Sequence, residues 1–213
     1  MCWPFTVPVA DEHVIPPEEI IVTTYPRHTS ASGRRVVQRQ FDYQRIWQLT
    51  LPMFERAGTM IAEAAPRADV VVGIARGGIP LAELIAEHLG LQMVPLRARH
   101  NLSDEIYLPA SGDVRITTED AAALASAVEG RRVLVADDIC GTGATLMAVL
   151  DRLATMQPAA AHSAVLCRSE AADFTPDVWL WNTRDWVVFP WNHPVAQPTE
   201  VLELPGKVQR RRP

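Results

Sequence analysis

RRVLVADDICGTGATLMAVL, residues 131–150, joins three patterns, and its reading decides the fold. Val133 to Ala136 is a short apolar run rich in β-branched residues, the mark of a strand buried on both faces. Two acids, Asp137 and Asp138, follow it, and then the small-residue turn Gly141-Thr142-Gly143-Ala144-Thr145. Beyond the turn, Leu146, Val149, Leu150 and Leu153 recur on one face of a helix. A strand that ends in such a turn and opens a helix is an anion site by construction. The first backbone N–H groups of the helix lack partners within it, and the helix dipole adds positive potential.

Gly141 and Gly143 let the backbone approach an anion closely, while Thr142 and Thr145 are placed to add hydroxyl donors. The turn is not a Walker loop, because GxxxxGK[ST] is missing. The acids intervene where a dinucleotide fingerprint needs its first glycine. Carboxylates beside a phosphate would repel it; they suit instead the vicinal hydroxyls of a sugar, with a divalent cation nearby. A phosphate at one end and a diol at the other describe a ribose 5-phosphate.

The same logic extends outward. Val70-Val71-Val72-Gly73-Ile74 is a second buried strand. A helix is predicted over Ile79 to Leu89, with Pro80 in its first turn and Gly90 as the left-handed stop. Leu91 to Leu96, Ser163 to Cys167 and Val178 to Trp181 read as further strands, and Trp186 to Trp191 closes the ordered part. Phe41 to Glu63 reads as a helix interrupted or kinked at Pro52, and Thr117 to Val128 as one with Thr117 and Asp120 at capping-box spacing. Residues 99–115 show no period and read as a long exposed loop or loose hairpin. Alternating strands and helices imply an α/β fold: a doubly wound, mostly parallel sheet with helices on both faces.

Residues 1–40 read as an extended arm of unknown role with one edge strand at Ile20-Ile21-Val22, residues 41–195 as the main domain, and 196–213 as a tail. The basic stretch GKVQRRRP reads as a solvated, mobile end.

Composition excludes several classes. The chain has 213 residues, 48% hydrophobic and 21% charged, which suits one compact domain and excludes a disordered chain. No apolar run approaches the roughly 18 residues of a membrane span. The N-terminus lacks a basic region followed by an apolar stretch, so a cytoplasmic protein without membrane attachment is expected. The net charge of −5 argues against nucleic acid as the main partner. Cys2, Cys140 and Cys167 show no CxxC spacing and read as free thiols. Lys207 is the only lysine, so nearly all positive charge is arginine.

VLVADDICGTGATL resembles the phosphoribosyl-pyrophosphate (PRPP) signature of the type I phosphoribosyltransferases. VVVGIARGGIP resembles the pyrophosphate loop of that family, and RDWVVFPWN, residues 184–192, the C-terminal base pocket of its xanthine- and hypoxanthine-type members. The resemblance covers about residues 50 to 192. It implies the type I phosphoribosyltransferase fold with a small C-terminal hood region, and transfer of phosphoribose from PRPP to a purine-like base with release of pyrophosphate, in purine salvage. It implies catalytic roles for Asp137, Asp138 and Arg76, and a 5′-phosphate cradle of Cys140, Gly141, Thr142, Gly143, Ala144 and Thr145. Ala75, Arg76, Gly77 and Gly78 would hold the pyrophosphate around a cis peptide at Ala75–Arg76, with Arg97 or Arg99 adding charge. Trp186 would stack on the base, the backbone of Val187 would read its edge, and Arg168 would stand where a lysine contacts the 6-oxygen. Mg²⁺ is the implied cofactor, with Asp138 a ligand. PRPP and a nitrogenous base are the implied partners, residues 99–115 a closing lid, and a homodimer or homotetramer the implied assembly.

Three positions depart from that pattern. Gly141 replaces an aspartate that many 6-oxopurine enzymes use at the purine N7, Arg168 replaces the lysine, and Asn192 replaces an acid after the last Pro-Trp. A non-catalytic PRPP-binding regulator on the same fold is the main rival reading, and a specialised transferase for an unusual heterocycle lies between the two.

Overall fold

A computed structural model describes the chain at residues 19–23, 45–99, 113–117, 121–195 and 199–212. The elements in chain order are β1 (Glu19–Thr23), β2 (Ile46–Gln48), α1 (Leu51–Ala64), β3 (Val70–Ala75), α2 (Ile79–Leu89), β4 (Gln92–Arg99), β5 (Asp113–Thr117) and α3 (Ala121–Val128). They continue with β6 (Arg132–Cys140), α4 (Ala144–Ala154), β7 (Ala160–Ser169), β8 (Val178–Thr183), β9 (Trp186–Val188), β10 (Glu200–Val201) and β11 (Gln209–Arg210).

The main sheet has the order β1-β5-β4-β3-β6-β7-β8-β11. Its five central strands, β4-β3-β6-β7-β8, are parallel, and β5, β1 and β11 join antiparallel at the two sides. Parallel strands need helical crossovers, which cover both faces and bury the strands twice over. Val71, Leu134 and Ala136 accordingly pack with Phe54, Ile61, Leu81 and Ile85 of α1 and α2. Their strand neighbours Val70, Val72, Val133 and Val135 pack with Leu124, Leu146, Val149 and Leu153 of α3 and α4. The doubly wound α/β architecture is therefore present, with a second sheet β10-β2-β9 beside it as the small hood.

Local punctuation explains where the read elements hold. Pro80 opens α2, and Gly90 closes it at φ 65°, its N–H capping the carbonyls of Ala86 and Glu87. Glu19–Thr23 is a strand at the sheet edge, in register with Asp113–Thr117.

Several expectations are corrected. The helix read over Phe41 to Glu63 begins only at Leu51, with Pro52 in its first turn, where the missing N–H costs nothing, so no kink forms. Ile46–Gln48 is a strand instead, and residues 41–44 lie outside the described part. Thr117 ends β5 rather than capping a helix; Asp120 lies outside the described residues, and α3 starts at Ala121. Within the stretch read as an aperiodic loop, Arg99 and Arg115 face each other across paired strands. Residues 100–112, the body of the expected lid, lie outside the described part. The strand read over Val133 to Ala136 continues to Cys140 because β7 keeps pairing with it, Ile139 opposite Cys167 and Cys140 opposite Arg168. Order also extends past Trp191. Gln209 and Arg210 pair with Trp179 and Val178, and Arg211 donates to the Asp177 carboxylate at 2.7 Å. The basic stretch is thus not a free end.

Candidate functional site

The acids sit at the C-terminal end of β6, where open α/β sheets place their ligand crevices. Asp137 is buried and Asp138 half-buried. The Asp138 backbone N–H donates to Asp137 Oδ1 at 3.0 Å. Burial holds both carboxyls above their ordinary range, Asp137 further raised by the like charge of Asp138. Asp138 is raised to about 6 by burial, with the Ile139 N–H among the groups opposing the shift. The Trp191 indole N–H is buried and, among the described residues, finds no hydrogen-bond partner of ordinary geometry, yet its positive end favours the Asp138 anion. Trp191 is fixed by stacking on Phe189, 5.2 Å between centroids, and by an edge contact with Phe54 at 5.1 Å.

The loop after β3 leans over these acids. The Ala75–Arg76 peptide is cis, as the resemblance implied. Gly78 N–H donates to Ile74 O at 2.8 Å, closing the turn. A Cβ on Gly78 would stand 2.7 Å from Asp137 Cα, and one on Gly77 2.6 Å from the carboxylate carbon of Asp138. Only glycine lets this loop and the acidic pair approach so closely. Arg76 is exposed at the same edge, and Arg97 lies beside it, in register with Ala75 on the neighbouring strand. Arg99 is in the same strand, two residues further on.

On the other side of the acids lies the turn into α4. Gly143 adopts φ 92°, the left-handed region, at the helix N-cap. Thr142 is buried, and its hydroxyl oxygen accepts the Ala144 N–H at 2.9 Å, leaving its proton free to donate. Ala144 is buried, and Gly141 and Thr145 are half-buried. Cys140 is buried and its thiol is pushed up to about 12 by burial and then by Asp137. Cys167 is likewise a buried thiol raised by burial. Both are inert, whereas Cys2 lies outside the described residues.

The remaining expected residues are more dispersed. Trp186 is half-buried in β9. The Val187 side chain belongs to the core, at 3% exposure, but its backbone is placed otherwise. Leu49 N–H donates to Val188 O at 2.9 Å. Strand alternation then turns the N–H and C=O of Val187 to the open edge of the three-stranded sheet. Arg168 is half-buried near the end of β7. Its Nε donates to Phe174 O at 3.1 Å and its terminal nitrogen to Ala172 O at 2.8 Å. Asn192 Oδ1 accepts the Phe189 N–H at 2.8 Å and Asn192 N–H donates to Phe189 O, so the neutral residue closes the turn that carries Trp191.

Sequence reasoning missed Asp185, Trp191 and Phe174. Asp185 accepts the Arg45 N–H and the Trp47 indole N–H, both at 3.3 Å, tying β2 to β9 across 138 positions or more. No local signal marks such a pair. Among the described residues no three metal-ligating side chains cluster. Two acids fit a hard cation that completes its shell with water and ligand oxygens, the habit of Mg²⁺.

A family model described as the phosphoribosyl transferase domain matches residues 51–198. The chain belongs to this family. Among relatives of the phosphoribosyltransferase domain, the transcriptional regulator GfcR 1 of Methanosarcina barkeri is 28% identical over 134 residues, covering 63% of this chain and 62% of that one. An adenine phosphoribosyltransferase of Trichlorobacter lovleyi is 32% identical over 107 residues, 49% of this chain and 62% of its own. The chain thus spans under two thirds of the length of these relatives. The solved purine phosphoribosyltransferase of Pyrococcus horikoshii shares the fold at a TM-score of 0.60, with 24% identity over 73% of this chain and 99% of that one. Among the described residues, no helix is long and apolar enough to cross a membrane.

Proposed function

We propose that the protein transfers the phosphoribosyl group of PRPP to a purine-like base, forming a nucleoside 5′-monophosphate and pyrophosphate. One observation carries this reading: the acidic pair lies between two glycine-bearing turns, Gly77 and Gly78 against it on one side and the Thr142–Thr145 turn on the other. That order suits an activated sugar with a phosphate at each end.

In this reading the C1–oxygen bond to pyrophosphate breaks, a base nitrogen bonds to C1 in its place, and the proton that nitrogen carried is released. Charge grows on the pyrophosphate as the bond lengthens, so the turn after β3, with Arg76 and Arg97, acts where charge develops. The Thr142 hydroxyl and the orphan amides at the start of α4 hold the 5′-phosphate and fix the sugar in line for attack. Asp137 and Asp138 accept from the ribose hydroxyls, and Asp138 is the candidate Mg²⁺ ligand. A bound Mg²⁺ would neutralise pyrophosphate charge. Trp186 offers its ring to the base and Val187 its backbone edge. A xanthine- or hypoxanthine-type base is the finer proposal, resting on the residue 184–192 resemblance. A cytoplasmic location and a homodimer or homotetramer belong to the same reading.

A second reading is a PRPP-binding regulator on the same domain. The similarity to proteins named as transcriptional regulators favours it, and so do Gly141 and Asn192, where a transferase would gain from carboxylates. Pyrophosphate release from Mg-PRPP, measured against a panel of purines and pyrimidines, separates the two. Turnover with a purine supports the transferase; tight PRPP binding without turnover on any base favours the regulator; no PRPP binding sinks both.

A further inference from the structure

Arg168 stands where the resemblance implies a lysine that contacts the base, yet its guanidinium is already engaged. The two hydrogen bonds run to carbonyls two residues apart, Ala172 and Phe174, and a flat fork with fixed N–H directions matches them. The same cation lies 5.9 Å above the Trp179 ring. Phe174 O also accepts the Cys140 thiol at 3.8 Å. The rest of Phe174 lies on Gly143: a Cβ there would be 3.2 Å from Phe174 Cγ and 3.3 Å from its Cα, and nearer still to its Cβ. Gly143 is the residue in the left-handed conformation that sets the direction of the first α4 amides. A continuous chain of contacts therefore runs from Arg168 through Phe174 to the turn.

We infer that Arg168 is a positioning residue for the 5′-phosphate turn, acting through Phe174, and not a reader of the base. This rests on the PRPP-site reading above. Its consequence is that the base loses a cationic contact as well as the carboxylate missing at Gly141, so ring stacking and the backbone edge carry base selection. An arginine here then follows from geometry, since an ammonium cannot span both carbonyls in one fixed orientation.

The test uses the full chain and ribose 5-phosphate, a probe with the ester and the pentose but no base. Calorimetry on wild type, Arg168→Met and Arg168→Lys gives affinities for ribose 5-phosphate and for AMP and GMP. Amide exchange without ligand follows residues 141–146. The expected result is about a 10- to 100-fold loss for ribose 5-phosphate in Arg168→Met. AMP and GMP should weaken by the same factor, exchange should rise in 141–146 but not in α2, and lysine should rescue in part. Unchanged ribose 5-phosphate affinity with altered AMP-to-GMP preference would overturn the inference, as would no change in either. If Arg168→Met fails to fold, Arg168→Lys alone carries the comparison: a weakened sugar phosphate with AMP-to-GMP preference intact supports the inference, and the reverse overturns it. Wild type that binds neither ribose 5-phosphate nor PRPP removes the underlying reading itself, and shows this before any variant is made.

Discussion

Replacing Gly77 with alanine separates the proposed chemistry from the fold. The added Cβ would stand 2.6 Å from Asp138 Cγ and 2.9 Å from Oδ1. Unstrained carbon–carbon contact needs about 3.5–4.0 Å, so the carboxylate must retreat by about 1 Å. What moves is the far end of a side chain in a half-buried position, not backbone, so the stability cost stays below about 2 kcal/mol. Function is less tolerant, because a displacement of that size at a positioning group costs about 100-fold in rate, or about 2.7 kcal/mol of barrier. Pyrophosphate release from Mg-PRPP and a thermal melt should be read together on the same sample. The expected result is a melting temperature within about 8 °C of wild type with turnover down about 100-fold. Gly78→Ala serves as the contrast. Its Cβ would meet Asp137 Cα at 2.7 Å and Ile74 O at 2.9 Å, both backbone, so the melt itself should collapse. Wild-type turnover in Gly77→Ala would refute the claim that Asp138 must lie against that loop.

Further consequences concern charge and chemistry at the same place. Asp137→Asn should raise the melting temperature at neutral pH by about 2–4 °C per kcal/mol of relieved burial while abolishing PRPP binding, measured by melt and calorimetry. For a raised carboxyl the native state binds more protons than the unfolded one. Stability from Asp138 is therefore fully present below the ordinary 3.8 and is lost as pH climbs through about 6. The melting advantage of Asp138→Asn over wild type should grow across that window, and a flat difference would contradict it. Sugar hydroxyls and a cation favour the charged form, so PRPP binding near pH 6 should release protons, seen as a dependence of binding heat on buffer ionisation. Gly141 is not among the glycines with positive φ, so Gly141→Asp meets no backbone penalty and should raise oxopurine turnover; unchanged kinetics would show that the position does not face the base.

Legibility in the sequence followed the range of the forces involved. The α2 boundaries were readable because Pro80 and Gly90 act within one turn of the helix. The turn into α4 was readable because strand, glycines and threonines are contiguous. The end of β6 was not, since two acids interrupt the apolar run and only pairing with β7 carries the strand on to Cys140. Val114 and Ile116 are buried while Arg115 is exposed, so β5 does alternate, but over too few residues to stand out from its surroundings. Ile46–Gln48 was absorbed into a helix because its partner, Trp186–Val188, lies far along the chain. The strand read over Ser163 to Cys167 stops one residue short of Arg168, which the structure places within β7, and the carbonyls that occupy its guanidinium left no trace in the sequence.

The small sheet draws one strand each from residues 46–48, 186–188 and 200–201, whereas the turn into α4 is a single uninterrupted stretch. Contacts between neighbours in sequence form faster than those that must first close long loops. During refolding, affinity for a simple sugar phosphate should therefore appear ahead of any discrimination between nucleobases.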